Sequence, residues 1–186
     1  MEHPNHFPDL VNPGRFVDIL PGEVPGKEAA LEIHLTDHVR TGKPFLIFSA
    51  MIPQQTRIKA MCDRLGLRTT VMNHTTSMKQ RNAADEMFRK GQLDGLICST
   101  DIAGVGYNWQ DIGGQELEHM IFMSLGYKDT AFFQGYRRAM RGVRKTRLRI
   151  TILEYLNSID QRVFQINERK AEDAHKVDPT RQILEL

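Results

Sequence analysis

The stretch "RTTVMNHTTSMKQRNAADEMFRKGQLDGLICST", Arg68 to Thr100, holds two apolar runs separated by an amphipathic segment. "RTTVMN" predicts a strand. "SMKQRNAADEMFRKG" predicts a helix, with Ser77 as its cap and Gly91 as its stop. "DGLICST", Asp94–Thr100, predicts a second strand. Strand, helix and strand at this spacing form a βαβ unit, whose strands run parallel.

The same alternation extends in both directions. Upstream, "GKEAALEIHLTDHVRTG" predicts a helix whose apolar side is Ala30, Leu31, Ile33, His34, Leu35, His38 and Val39, ended by Gly42. "PFLIFSA" (Pro44–Ala50) is an apolar run of the kind buried on both faces of a parallel sheet. "PQQTRIKAMCDRLG" predicts a helix with Pro53 in its first turn and Gly66 after its end. Downstream, "EHMIFMS" and "RLRITILEY" predict strands, and "SIDQRVFQINERKAEDAHK" a closing helix capped by Ser158 or Asn157. Residues 1–25, rich in Pro, Asn and Gly, read as an irregular lead-in. The expectation is an α/β domain of three layers, a mostly parallel sheet flanked by helices, plus a C-terminal helix. It divides as lead-in 1–25, lobe 26–156, and helix and tail 157–186.

Composition narrows the class. A chain of 186 residues with 40% hydrophobic and 26% charged residues is an ordinary globular domain with a real core. The formal net charge of +2 means that nucleic-acid binding has to come from a local patch. Cys62 and Cys98 stand apart among apolar neighbours, as buried thiols of a reducing compartment do. "MEHPNHFPDL" lacks the basic flank and apolar run of a signal peptide, and runs such as "FLIF" are far too short for a membrane span. The expectation is a soluble intracellular protein.

Cation is concentrated in "QGYRRAMRGVRKTRLR", Gln134–Arg149, which has no acidic residue. On a helical wheel Phe132, Phe133, Tyr136, Ala139, Met140 and Val143 fall on one side and Gln134, Arg137, Arg138, Arg141 and Lys145 on the other. The segment therefore reads as an amphipathic helix with a guanidinium stripe, in which Gln134, Arg138 and Arg141 stand at i, i+4 and i+7. An anion would relieve the repulsion along such a stripe; a solvated basic face is the alternative. In parallel sheets ligands sit beyond the carboxyl ends of the strands. There "CSTDIAGVGYNWQ" offers Thr100, Asp101, Gly104 and Gly106, groups that let backbone N–H approach a phosphate. A P-loop is missing: "GEVPGKE" is one residue short and ends in Glu28, and "TGKP" has Pro44 where a hydroxyl belongs. The chain looks like half of a site.

Five segments in order resemble the second RecA-like lobe, the helicase C-terminal domain, of superfamily-two nucleic-acid-dependent ATPases, most closely the Swi/Snf type. "HPNHFPDLV" with "PGKEAALEIHL" is similar to the opening of that lobe, and "KPFLIFSAM" to motif IV. "HTTSMKQRNAADEMFRKGQLDGLICSTDIAGVGYNW" resembles the run through motif V. "QGYRRAMR" matches Q-x-x-[GD]-R-x-x-R, motif VI, at Gln134, Arg138 and Arg141, and "NSIDQRVFQINERK" resembles the following helix. The chain departs from the pattern at Arg137 (usually Gly or Asp), at Asp101, in the long connection "QDIGGQELEH" and at "LGYKDT".

The resemblance implies an ATP-dependent DNA translocase or helicase. ATP and Mg²⁺ are held mainly by a first RecA-like lobe, in cis or in trans. Arg138 and Arg141 act as fingers, Gln134 orients them or contacts nucleotide, and Gly104 and Gly106 approach the nucleotide or the partner lobe. Ser49, His74, Thr75 and Thr100 line a track for DNA, expected to be duplex, with RNA open as well. Without a P-loop the isolated chain is expected to be inactive. A RecA-like binding module without nucleotide chemistry, and a stand-alone enzyme acting on a small phosphorylated substrate, are the other readings. His34 and His38, at i, i+4, and the pair His3 and His6 lack a third ligand, and no metal site is expected. Tyr107 and Trp109 read as core before base-stacking platforms.

Overall fold

The computed structural model describes residues 7–8, 16–17, 24, 26–100, 102, 106–123, 125, 139–140 and 143–177. In chain order the elements are β1 (Phe7–Pro8), β2 (Phe16–Val17), α1 (Gly26–Thr41), β3 (Phe45–Phe48), α2 (Ile52–Arg64), β4 (Thr69–Met72) and α3 (Met78–Arg89). There follow β5 (Gly95–Cys98), β6 (Asp111–Ile112), β7 (Gln115–Glu116), β8 (His119–Phe122), β9 (Arg149–Ile152) and α4 (Ile159–Val177). Five strands form one sheet in the order β4-β5-β3-β8-β9, every pairing parallel. Each strand expected from the apolar runs is present, trimmed to four residues. The lead-in is less irregular than expected, because β1 and β2 pair antiparallel within it.

Both faces of the central strands are buried. Phe45 and Ile47 join Leu31, Leu35, Ile58, Cys62, Ile97 and Ile121 beneath α1 and α2. Leu46 and Phe48 join Met72, Phe88, Leu96, Trp109 and Met120 beneath α3. Helices on both faces give three layers. Gly95 permits the close approach of β5 to β3, since a Cβ there would lie 2.3 Å from the Phe45 ring. Ser77 and Gln80 form a full capping box on α3. Gly42 ends α1 at φ 65, its N–H donating to the His38 carbonyl. Burial pushes both thiols up, Cys62 to about 11, so neither is a thiolate near neutral pH.

A buried ion pair docks α4. Lys27 Nζ lies 2.8 Å from Asp160 Oδ2, with 2% and 8% of the side chains exposed, and donates to the Met123 carbonyl at 2.8 Å. Of the two expected caps Ser158 serves α4, its Oγ accepting from Asp160 N at 3.1 Å. Removing one partner of such a pair costs about 3–5 kcal/mol, because the other charge is left buried.

The amino ends of the strands are closed by histidines. His38 Nδ1 donates to the Lys43 carbonyl at 3.0 Å, and its Nε2 is hydrogen-bonded to His119 Nδ1 at 2.8 Å. His119 Nε2 is hydrogen-bonded to the Thr151 hydroxyl at 2.8 Å. Arg149 Nη2 lies 3.0 Å from His119 Nδ1, and Asp37 lies 3.8 Å from Arg149. His34 stands edge-on to His119, with ring centroids 5.4 Å apart. Burial, then the Arg149 cation, hold His119 down to about 3. Burial also lowers His34 and His38. His34 and His38 thus pack α1 against β8 and β9.

These rings give the fold a pH dependence with a definite sign. Their pKa values lie below those of the unfolded chain, so acidification protonates the unfolded state first. Stability is full above about pH 6.5 and drains as pH falls toward the His119 value of about 3. The expected slope is about 1.4 kcal/mol per pH unit for each ring that stays neutral in the fold. Urea unfolding of this lobe at stepped pH between neutrality and the acid limb measures it. A flat profile across that window would show that the rings protonate freely in the folded state.

Candidate functional site

The carboxyl ends of the strands gather Ser49 after β3, Asn73–Thr76 after β4, and Ser99 and Thr100 after β5. A chain of amides ties the first two loops together. Ser49 Oγ donates to Gln54 Oε1 at 2.6 Å, and Gln55 Nε2 donates to the Ser49 carbonyl at 2.7 Å. Asn73 Nδ2 donates to Gln55 Oε1 at 2.8 Å. Asn73 Oδ1 accepts from Thr75 N at 3.0 Å and Thr75 Oγ1 at 2.6 Å, an Asx turn that lifts residues 74 and 75 outward. Gln54, Gln55 and Asn73 are buried, so each of these bonds satisfies a polar group that water cannot reach.

The expected site residues separate into four groups. His74 and Thr75 are exposed and Thr100 half-exposed, all on one edge of the sheet. Ser49 is fully buried, its hydroxyl engaged by Gln54, so it braces the edge from below and presents nothing to an outside phosphate. Gly106 is exposed, and a Cβ added to it would meet nothing within 4 Å. The lobe itself therefore makes no steric demand for glycine there. Gly104, Asp101, Gln134, Arg138 and Arg141 lie outside the described residues.

The basic helix expected over Gln134–Lys145 does not reach its end. Ala139 lies in a bend, Met140 is non-helical, and residues 143–148 contain no helix. Val143, expected on the apolar side, is 97% exposed. The reason is a set of competing partners. Arg144 Nη1 donates to the Ala139 carbonyl and Nη2 to the Leu117 carbonyl, while Glu116 takes the backbone N–H of Lys145 and Thr146. Part of the cation is also compensated by distant groups, Arg149 standing beside Asp37.

Trp109 is fully buried and unavailable to a base. Its Nε1 donates to Asp85 Oδ1 at 2.9 Å, and its ring stacks on Tyr107 with centroids 5.2 Å apart. A cleft of 610 Å³ beside β4 and α3 is walled by residues such as Thr69, Thr75, Gln80, Ala83 and Met87. Among the described residues none that lines it is ionisable. Lys27, the nearest thing to a P-loop lysine in the sequence, is committed to Asp160 and the Met123 carbonyl. Among the described residues no cluster of three His, Cys, Asp or Glu could hold a metal, and no helix is long and apolar enough to cross a membrane. Sequence reasoning missed the buried amides Gln54, Gln55 and Asn73. Their only signal is polar residues soon after predicted apolar strands, Gln54 and Gln55 in the first turn of α2 and Asn73 directly after β4.

Residues 26–143 match the family described as the helicase conserved C-terminal domain. No curated protein matches the chain. Among solved structures, the chain is similar to a crystal structure of the C-terminal part of the Fun30 ATPase domain. The TM-score is 0.68 at 21% identity, over 77% of this chain and 45% of that one. At that identity the likeness speaks for the fold, and this chain spans less than half of its match. With most of its length inside the family's bounds, the chain belongs to the helicase conserved C-terminal domain family.

Proposed function

We propose that the chain is the second lobe of an ATP-dependent DNA translocase or helicase of the Swi/Snf type, supplying finger arginines and part of a nucleic-acid track. The observation that carries this is the carboxyl edge of the sheet. His74, Thr75 and Thr100 stand outward there on a braced shelf, in a chain whose residues 26–143 fall in the helicase family. Thr75 spends its N–H and hydroxyl on Asn73 Oδ1 and so shapes the shelf, while the His74 ring and the Thr100 hydroxyl are groups that suit phosphates of a strand passing over it, and they carry no base code. Duplex DNA is the polymer the Swi/Snf likeness favours. Ser49 holds the shelf from beneath.

Arg138 and Arg141 act across a cleft on the γ-phosphate of ATP held by the first lobe, with Gln134 orienting them. Arginine guanidinium groups, the N–H₂ of a glutamine amide and glycine N–H groups are donors suited to phosphate oxygens. The fit is therefore to the nucleotide's phosphates, with Mg²⁺ held by the other lobe. When bound, Mg²⁺–ATP supplies the phosphoryl group; these residues orient it and stabilise charge on its equatorial oxygens. Gly104 and Gly106 let nucleotide or partner lobe come close, which fits the open space beside Gly106. The lobe extends over 26–156, because β9 completes the sheet beyond the family match, with 157–186 as helix and tail. A location inside the cell goes with such work.

In the complete two-lobe protein, Arg141→Lys should keep charge and lower kcat by roughly 100-fold or more, with DNA affinity little changed. Arg147→Lys, on an exposed residue before β9, should be nearly silent. Steady-state ATPase with saturating DNA measures both. Equal, near-wild-type rates would reduce the run to a solvated basic face and favour a binding module without nucleotide chemistry.

A further inference from the structure

The connection between Trp109 and β8 is longer than the family pattern requires, and its sequence "DIGGQE" folds into a hairpin. Gly113 and Gly114 take φ 61 and φ 84, the double left-handed turn that joins two strands at matching twist. Asp111 pairs with Glu116 and Ile112 with Gln115, with Ile112 buried in the core. The tip rests on the end of α3. Gly113 N donates to the Arg89 carbonyl at 2.8 Å, and a Cβ on Gly113 would lie 3.0 Å from Gly91 Cα. Trp109, just before the hairpin, is tied to the same helix through Asp85. The hairpin is therefore fixed to α3 at both of its ends.

Its free side clasps the segment that follows Arg141. The Glu116 carboxylate accepts from Lys145 N at 2.9 and 3.0 Å, from Thr146 N at 2.7 Å and from Thr146 Oγ1 at 2.7 Å. These donors hold its carboxyl down to about 2, so it is ionised at any working pH. Arg144 reaches the other way, to the Leu117 carbonyl at the hairpin's base and to the Ala139 carbonyl. Gln110 Nε2 adds a longer bond to the Val143 carbonyl at 3.4 Å. Ala139, itself buried in the core, and Arg144 are thereby joined, and Arg141 lies between them in sequence.

We propose that Glu116 is a positioning residue for Arg141: the hairpin fixes the chain on the far side of that arginine to α3, and so sets where its guanidinium meets the γ-phosphate. The role rests on the reading of Arg141 as a finger. Glu116 itself touches no nucleotide. A carboxylate suits this position because all its partners are donors, whereas an amide would set its own N–H₂ against one of them. Misplacing a transition-state contact by an ångström can cost about 100-fold in rate, so loosening the clasp should cost turnover before it costs binding.

The test uses the two-lobe protein and four variants: Glu116→Gln, Thr146→Val, Arg141→Lys and, as a charge control on the exposed side of α3, Glu86→Gln. Glu116→Gln is expected to lower kcat about tenfold or more, with KM for ATP, duplex-DNA affinity and Tm close to wild type. Thr146→Val removes one of the donors and should give a smaller loss of the same kind. The double variant should be no worse than Glu116→Gln alone, because both act through one clasp. Glu86→Gln should be unchanged. Wild-type kcat in Glu116→Gln beside a crippled Arg141→Lys would overturn the positioning role and leave the finger standing. Parallel losses of kcat, KM, DNA affinity and Tm in Glu116→Gln would also overturn it, as a merely structural defect. An Arg141→Lys variant with full activity would overturn the finger reading itself, and the role of Glu116 with it.

Discussion

The parallel pairing of β3 between β5 and β8 is the constraint from which the site follows. Phe45 stands level with Gly95 on one side and His119 on the other, and Phe48 stands level with Cys98 and Phe122. One residue past each strand, the ladder is continued by Ser49 N to Cys98 O, Ser99 N to Met72 O, Met123 N to Phe48 O and Leu153 N to Phe122 O, each 2.9 Å. The carboxyl edge is thereby squared off, and the loops leave it at one height. Backbone polar groups buried on both faces have no partner other than neighbouring strands, so this register has little freedom to slip. The shelf of His74, Thr75 and Thr100 exists because the strands beneath it end together.

The two poles of the sheet are built differently. At the amino ends, His38, His119 and Thr151 spend polar atoms on one another, and burial, then the neighbouring cation, keeps the rings neutral. At the carboxyl ends, buried amides support the exposed turn of His74 and Thr75. The basic run lies across this division of labour. Arg144 caps carbonyls, Arg149 faces His119 and Asp37, and Arg147 stays exposed. A run of one sign in sequence is thus several separate electrostatic situations in the fold.

What could be read from the sequence follows from range. "FLIF", "GLIC" and "HMIF" were legible as strands because burial on both faces leaves an unbroken apolar run. Helix ends were legible from Ser77, Gly42 and Gly91, whose caps act within one turn. The β6–β7 hairpin was not, since two-residue strands carry no period, although its Gly-Gly turn was in view. The helical wheel overreached at residues 139–140 and 143–145 because Glu116 and Leu117, which hold Arg144 and Lys145, come from far upstream. Ser49 was drawn to the surface by its place after a strand, and only Gln54 explains why it stays below. The proposal that Arg138 and Arg141 are fingers rests on the motif and on the family match.

The account turns on this lobe being one side of a two-sided nucleotide site. ATP hydrolysis by the 186-residue chain measures that directly, alone and then joined to a P-loop lobe, each with and without duplex DNA. The chain alone should give background turnover, and the joined protein DNA-stimulated, Mg²⁺-dependent turnover. Mg²⁺-dependent, DNA-stimulated hydrolysis by the purified chain alone would contradict the account, because the missing half of the site would then lie within these residues.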